Sequence, residues 1–388
     1  MTRLIGIVTT ARSEYGIYRP LLQRLAVTSG ISFGLFVGGA HLSSQYGNTV
    51  DEIEAEGWPI FARLNGHISS DTPEKTAIAM GQVTAAMASA LARNRPDILV
   101  VLGDRFEMHA TAVAAMPFSI PIAHIHGGEL SLGALDDAFR HSLTKISHLH
   151  FPSTQIYAQR ILQMGEEPWR VMTSGAPALD SFLNEAPMTL EDVERRAGLR
   201  LSAAPVLVTL HSETLGGLVS RDLANLLVKI LSTVSGPIVI TAPNADIGGV
   251  EIAQVLKEFS GTRDDVSYIE SLGARAYRAV LERARFMIGN SSSGLIEAMS
   301  FQLPVVNIGE RQAGRVRPPN VIDVTPLEEA IRCGITKAES QVFRASLDGL
   351  RNPYGDGRAS IRIVGVLESV SIDARLLVKR FNDLAIAT

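Results

Sequence analysis

With 388 residues and 46% hydrophobic composition the chain can bury large cores, and its length predicts two or three domains, two being the working number. Its 36 basic and 40 acidic residues leave a formal charge of −4, too balanced for non-specific nucleic-acid binding, though a local basic pocket for a small anion stays open. One cysteine, Cys333, excludes an intrachain disulfide and any multi-cysteine metal site, and is expected as small buried filler.

The first apolar run, residues 4–8, is too short for a signal peptide, and no uncharged apolar stretch of about 18 residues follows. A cytoplasmic protein without a membrane partner is the expectation. Residues 4–8 predict a strand, 9–16 a polar turn and 18–26 a helix with Pro20 near its start, which together begin a βαβ unit. The glycine-rich dinucleotide fingerprint is missing from that turn, which argues against a nicotinamide enzyme. Arg12 would stand at the end of the first strand, placed either to meet an anion or to be solvated.

Residues 31–37 predict the second strand, closed by Gly38 and Gly39 and followed by His41. Trp58-Pro59-Ile60-Phe61, Leu64-Asn65-Gly66-His67 and the turn-rich residues 69–73 suggest a loop over a crevice. The alanine- and methionine-rich residues 75–91 predict a helix. Residues 98–102 and 121–125 are apolar runs fit for buried parallel strands, and each ends abruptly in glycine and charge. Ligands bind at the carboxyl ends of strands in open α/β sheets, so Asp104, Arg105, Glu107, His126 and Glu129 would gather at one crevice. Residues 108–116 predict a small-residue helix. Gly133 opens another in which Asp136 and Arg140 share a face, either as a surface pair or as part of the working face.

Residues 148–152 predict a strand, 153–164 its helix and 170–172 the last strand of the first half; 189–201 is a short helix or linker. The second half repeats the alternation, with strands at 205–210, 237–241, 266–269, 286–288, 304–308 and 321–324. His211-Ser212-Glu213-Thr214 and residues 242–246 follow the first two of these. The boundary falls at 180–200, giving domains 1–185 and 186–365, with a helical tail at 366–388 that would pack back on the first domain.

Gly289-Asn290-Ser291-Ser292-Ser293-Gly294 joins a strand to a helix with small residues, so free backbone N–H groups could face an anion. A serine N-cap would explain one serine without a ligand. Arg311 and Arg315 follow the next strand and could clamp a diphosphate. Glu297 would repel phosphate unless aimed elsewhere, and is expected on a pair of ribose hydroxyls. Asp104, Glu107, Glu129, Asp136 and His211 form the chemical end: converging carboxylates can separate their pKa values, and His211 could offer a hydrogen bond or positive charge to a departing phosphate. His124, His126, Asp104 and Glu129 fit no compact zinc spacing, so no metal and no cofactor is expected, and His124, His148 and His150 are structural.

Arg12-Ser13-Glu14-Tyr15-Gly16, Gly103-Asp104-Arg105-Phe106-Glu107, His124-Ile125-His126-Gly127-Gly128-Glu129, the run from Asp136 to His141, the serine loop and Gly309-Glu310-Arg311-Gln312-Ala313-Gly314-Arg315 span nearly the whole chain in order. In these the sequence resembles the UDP-N-acetylglucosamine 2-epimerase family, closest to its hydrolysing branch that feeds sialic- and legionaminic-acid synthesis. The resemblance implies two Rossmann-like domains, a GT-B-like α/β fold with the active site in the interdomain cleft, and a metal-free reaction through a glycal. It implies Asp104, Glu129, Asp136 and His211 as catalytic groups. Arg12, Arg105, Glu107, Arg140, Ser291, Ser292, Glu297, Arg311 and Arg315 would bind the UDP-sugar. UDP and water would be the other partners, and a homodimer or homotetramer the assembly.

The Gly-Asp-Arg-Phe-Glu and Gly-Glu-Arg-Gln runs favour the hydrolysing over the non-hydrolysing branch. UDP-N-acetylglucosamine is expected as substrate, yielding UDP and free N-acetylmannosamine, with UDP-2,4-diacetamido-2,4,6-trideoxyglucose as the alternative. A GT-B glycosyltransferase and a non-enzymatic nucleotide-sugar sensor are the competing classes.

Overall fold

The computed structural model describes residues 2–43, 48–65, 72–132, 135–181, 186, 188–201, 203–212, 219–243 and 248–383. The chain forms two compact units, Met1–Leu183 with Tyr354–Thr388, and Asn184–Pro353. The first holds strands β1 (Arg3–Thr9), β2 (Ile31–Gly38), β3 (Ile60–Leu64), β4 (Ile98–Leu102), β5 (Ile122–Ile125) and β6 (Leu149–Phe151). Its sheet is parallel throughout, in the order β3-β2-β1-β4-β5-β6. The second holds β7 (Val206–Thr209), β8 (Ile238–Thr241), β9 (Val266–Ile269), β10 (Phe286–Gly289), β11 (Val305–Ile308) and β12 (Val321–Val324). They are parallel in the order β12-β11-β10-β7-β8-β9. Both are Rossmann-like sheets of one topology. The winding reverses between β1 and β4 and again between β7 and β10, where loops leaving adjacent strands diverge and open a crevice at their carboxyl ends.

Burial on both faces explains the uninterrupted apolar strands. In β4, Ile98 and Val100 join the core with Ile5, Ile7 and Leu21, whereas Leu99 and Val101 join the opposite one with Met87, Leu91 and Met108. That is the period of two expected of a strand packed between helical layers. The second unit repeats it: Val206 and Val208 join the core with Leu227 and Ile240, and Leu207 joins the opposite one with Ala276 and Val280.

Several expectations are corrected. The first helix is Arg12–Ala26, so the expected polar turn is helical and Pro20 lies well inside it, leaving no N–H for the preceding turn. Glu14 makes the early start stable: its Oε2 accepts from the N–H groups of Thr10 and Ala11. Residues 60–64 are the edge strand β3, not loop. Pro168–Arg170 is a 3-10 turn, and Val171 adds one isolated bridge to His150 where a strand was expected. Cys333 is exposed. The helix Glu328–Glu339 buries Ile331, Gly334, Ile335 and Ala338, a stripe of three- and four-residue steps that position 333 misses.

Among the described residues the C-terminal segment is helical only at Ala359–Ser369 and Ala374–Leu377. Arg170, fully buried, donates to the carbonyls of Arg375, Leu376 and Val378, capping that last turn. Lys379 and Lys145 both reach Glu166, at 2.8 and 2.7 Å. Among the described residues no helix is long and apolar enough to cross a membrane.

Candidate active site

At the switch point of the first sheet, β4 is followed by Gly103, whose φ of +74° turns the chain and presents Asp104. Arg140, nearly fully buried, is hydrogen-bonded to Asp104 and donates through Nη1 to the His126 carbonyl at 2.7 Å. Ser131 Oγ also donates to Asp104, at 2.9 Å. Arg140 thus pairs with Asp104 from β4, and the anticipated partnership with Asp136 on its own helix is replaced. Asp137 accepts from the Ser131 N–H at 2.7 Å and fixes the loop.

Asp136 is exposed. Surrounding protein, then the Asp104 charge, push its carboxyl up to about 6 against the pull of Arg105 and Arg140. Glu129 is buried, and its Oε1 meets His126 Nδ1 at 2.6 Å and Ser153 Oγ at 2.9 Å.

Arg105 and Glu107 form a two-point pair, at 2.9 and 3.2 Å, with Glu14 Oε1 3.7 Å from the same guanidinium. Burial drives the Glu14 carboxyl up to about 7, with Arg105 and the Thr10 N–H pulling it back. Arg12 is largely exposed and pairs with Glu52 at 3.2 Å, an interaction of little energy by itself. His124 bonds the Gly103 carbonyl, His148 accepts from the Ile122 N–H and His150 bonds Glu166. Among the described residues no group of three or more His, Cys, Asp or Glu side chains is arranged to hold a metal.

In the second unit the switch point is closed by Gly289 and Asn290. Gly289 has φ +138°, and a Cβ there would lie 1.9 Å from the Thr209 carbonyl oxygen, so only glycine lets β10 pass β7. Asn290 Oδ1 accepts the His211 N–H at 2.7 Å, and its Nδ2 donates to the His211 carbonyl at 2.9 Å. The Asn290 carbonyl accepts from Gln312 at 2.8 Å and from Arg311 at 3.3 Å. His211, Arg311 and the serine loop are therefore brought together. Burial and the Arg311 charge lower the His211 imidazole to about 3, so it is neutral at pH 7 and can offer a hydrogen bond but not the positive charge.

Ser291 caps the short helix Ser292–Ile296, accepting from the Ser293 N–H at 3.3 Å, and Ser292 occupies its first turn. Tyr277 donates to Ser293 at 2.9 Å and Ser293 to Glu297 at 2.5 Å, while burial raises the Glu297 carboxyl. Arg315 is half-buried in the turn after β11, its N–H bonded to the Gln312 carbonyl. Residues 66–71, 213–214 and 244–246, expected beside these sites, lie outside the described residues.

Residues 23–368 match the family model of UDP-N-acetylglucosamine 2-epimerase. A UDP-N,N'-diacetylbacillosamine 2-epimerase (hydrolyzing) of Legionella pneumophila is 34% identical over 385 residues, 98% of this chain and 99% of that one. The chain belongs to this family.

Its relatives also include a GDP/UDP-N,N'-diacetylbacillosamine 2-epimerase (hydrolyzing) of Campylobacter jejuni, 35% identical over 387 residues, 98% of this chain and 99% of the other. The crystal structure of UDP-GlcNAc 2-epimerase from Neisseria meningitidis bound to UDP-GlcNAc superposes with a TM-score of 0.80 at 18% identity, covering 94% of this chain and 99% of that one. Family membership makes this protein an enzyme acting on a nucleotide-sugar, on a GT-B-like fold of two Rossmann-like domains.

Sequence reasoning missed Glu14, Asn290, Gln312 and the serines at 131 and 153. Asn290 carried a signal, as the one amide in a loop of otherwise small residues. Ser131 and Ser153 had none, since they act by meeting carboxylates 27 and 24 residues away.

Proposed function

We propose that the protein is a hydrolysing 2-epimerase of UDP-2,4-diacetamido-2,4,6-trideoxyglucose, which is UDP-N,N'-diacetylbacillosamine, releasing UDP and the free manno-configured sugar. The observation that carries the substrate is full-length identity of 34 and 35% to two hydrolysing enzymes named for that sugar. It reverses the expected ranking, in which UDP-N-acetylglucosamine stood first.

The chemistry assigned to the first unit is proton transfer at C2. A base takes the C2 proton, the C–H electron pair becomes the C1–C2 double bond, and the C1–O bond breaks with its pair leaving on UDP. Water then adds its hydroxyl at C1 and a proton returns to C2 on the opposite face. Asp104, Glu129 and Asp136 supply the acid–base set. Asp136, held near 6, retains part of its proton close to neutrality and suits the returning step. Arg105, Glu107 and Arg140 orient these carboxylates and the sugar.

The second unit is assigned the nucleotide. Ser291, Ser292, Arg311 and Arg315 take the diphosphate and Glu297 the ribose. His211, being neutral, donates a hydrogen bond to the leaving phosphate oxygen. Measuring kcat/KM for both UDP-sugars tests the substrate. The diacetamido sugar should be preferred at least tenfold, and preference for UDP-N-acetylglucosamine would overturn the choice. Asp104→Asn, Glu129→Gln and Asp136→Asn should each cut kcat without loss of UDP affinity.

A further inference from the structure

His126 lies one residue past β5, in a left-handed conformation with φ +62°, which a non-glycine residue adopts only when its surroundings hold it there. They do so from three sides. Its N–H donates to the Phe151 carbonyl at 3.1 Å, its carbonyl accepts from Arg140 at 2.7 Å, and its Nδ1 meets Glu129 Oε1 at 2.6 Å. The turn that lets Glu129 reach back needs glycine: a Cβ at Gly128 would lie 2.5 Å from the Tyr157 carbonyl oxygen.

The carboxylate fixes the tautomer. Glu129 Oε1 already receives the Ser153 hydroxyl and accepts from the imidazole, so the ring proton is on Nδ1 and the lone pair on Nε2. Nε2 is buried and, among the described residues, has no hydrogen-bond partner. A buried lone pair with an ionisable partner behind it is the arrangement of a general base whose orienter stabilises the cation that forms.

We propose that His126 Nε2 is the atom that takes the C2 proton of the sugar, and that Glu129 works behind it as the orienting carboxylate. This rests on the 2-epimerase reading above and divides one of its roles. In the step, the C2–H bond breaks toward Nε2 and its electron pair forms the C1–C2 double bond as UDP departs. The imidazolium produced keeps its Nδ1 proton on Glu129. Besides Glu129, the charged and titratable groups around His126 among the described residues are Arg140 at its carbonyl with Asp104 behind it, Arg160 bonded to the Gly128 carbonyl, and His124 on β5, which burial keeps neutral.

The test compares the full-length parent with His126→Asn, His126→Gly and Glu129→Gln in deuterated water. Asparagine and glycine both tolerate positive φ, so the backbone is preserved. Melting temperature and UDP affinity report that preservation. Expected are a loss of about 10²–10⁴-fold in C2 exchange for His126→Asn, partial recovery of His126→Gly by added imidazole, and a milder loss for Glu129→Gln. In Glu129→Gln the acidic limb of the kcat/KM profile should move to lower pH, because the imidazolium has lost its counter-charge.

Exchange within tenfold of the parent in His126→Asn, together with abolition in Glu129→Gln, would return the base to Glu129 and overturn the proposal. A parent that turns over neither sugar would instead overturn the functional reading, and this role with it.

Discussion

Asn290 and His211 are joined twice, the side-chain amide of one spanning both backbone groups of the other at 2.7 and 2.9 Å. A side chain thereby continues the β7–β10 ladder for one residue beyond the point where the strands part. Since the Asn290 carbonyl also takes Gln312 and Arg311, the loops after three strands share one residue. Asn290→Ala would leave the buried His211 N–H and carbonyl without these partners. It should cost about 2–4 kcal/mol in urea unfolding and weaken UDP binding in calorimetry.

Gly289→Ala should be worse. The new methyl would meet the Thr209 carbonyl oxygen, which belongs to the paired strand and cannot swing aside. A loss of more than about 3 kcal/mol is expected, seen as a large fall in melting temperature, whereas Gly81→Ala, in open space within a helix, should be neutral or stabilising.

Glu166 tests the anchoring of the C-terminal segment. Burial raises its carboxyl, but His150, Lys145 and Lys379 outweigh that and bring it from 4.5 down to about 2. A depressed carboxyl contributes stability that is complete above its unfolded value and fades as pH falls through the folded one. Glu166→Gln should therefore be less stable than the parent above about pH 4.5, and the gap should close toward pH 2; a gap independent of pH would refute the ion pairing.

Glu14 has the opposite sign. Its carboxyl is raised from 4.5 to about 7, so the folded state holds this proton more tightly and the parent loses stability as pH climbs through that window. Glu14→Gln cannot ionise and should escape the loss. Its melting temperature relative to the parent should rise between pH 5 and 8.

Strands buried on both faces, such as β4 and β5, were legible as apolar runs, and their abrupt charged ends pointed to Asp104 and Glu129. Strand β3 was not, because at the sheet edge its burial is partial and its residues mix with turn formers. The expected burial of Cys333 failed because helical phase, not residue type, decides which positions of Glu328–Glu339 face the core. In the site, residue types were legible and partnerships were not: Arg140 chooses Asp104, 36 residues away, only because strand order sets β4 beside β5. The double bond of Asn290 to His211 likewise depends on β10 lying beside β7, which no local pattern encodes.

The most direct measurement follows UDP-2,4-diacetamido-2,4,6-trideoxyglucose with the protein in deuterated water by proton NMR. The expected products are UDP and free 2,4-diacetamido-2,4,6-trideoxymannose in equal amounts, with deuterium at C2 of the sugar. Release of UDP with the original hydrogen and gluco configuration kept at C2 would contradict it.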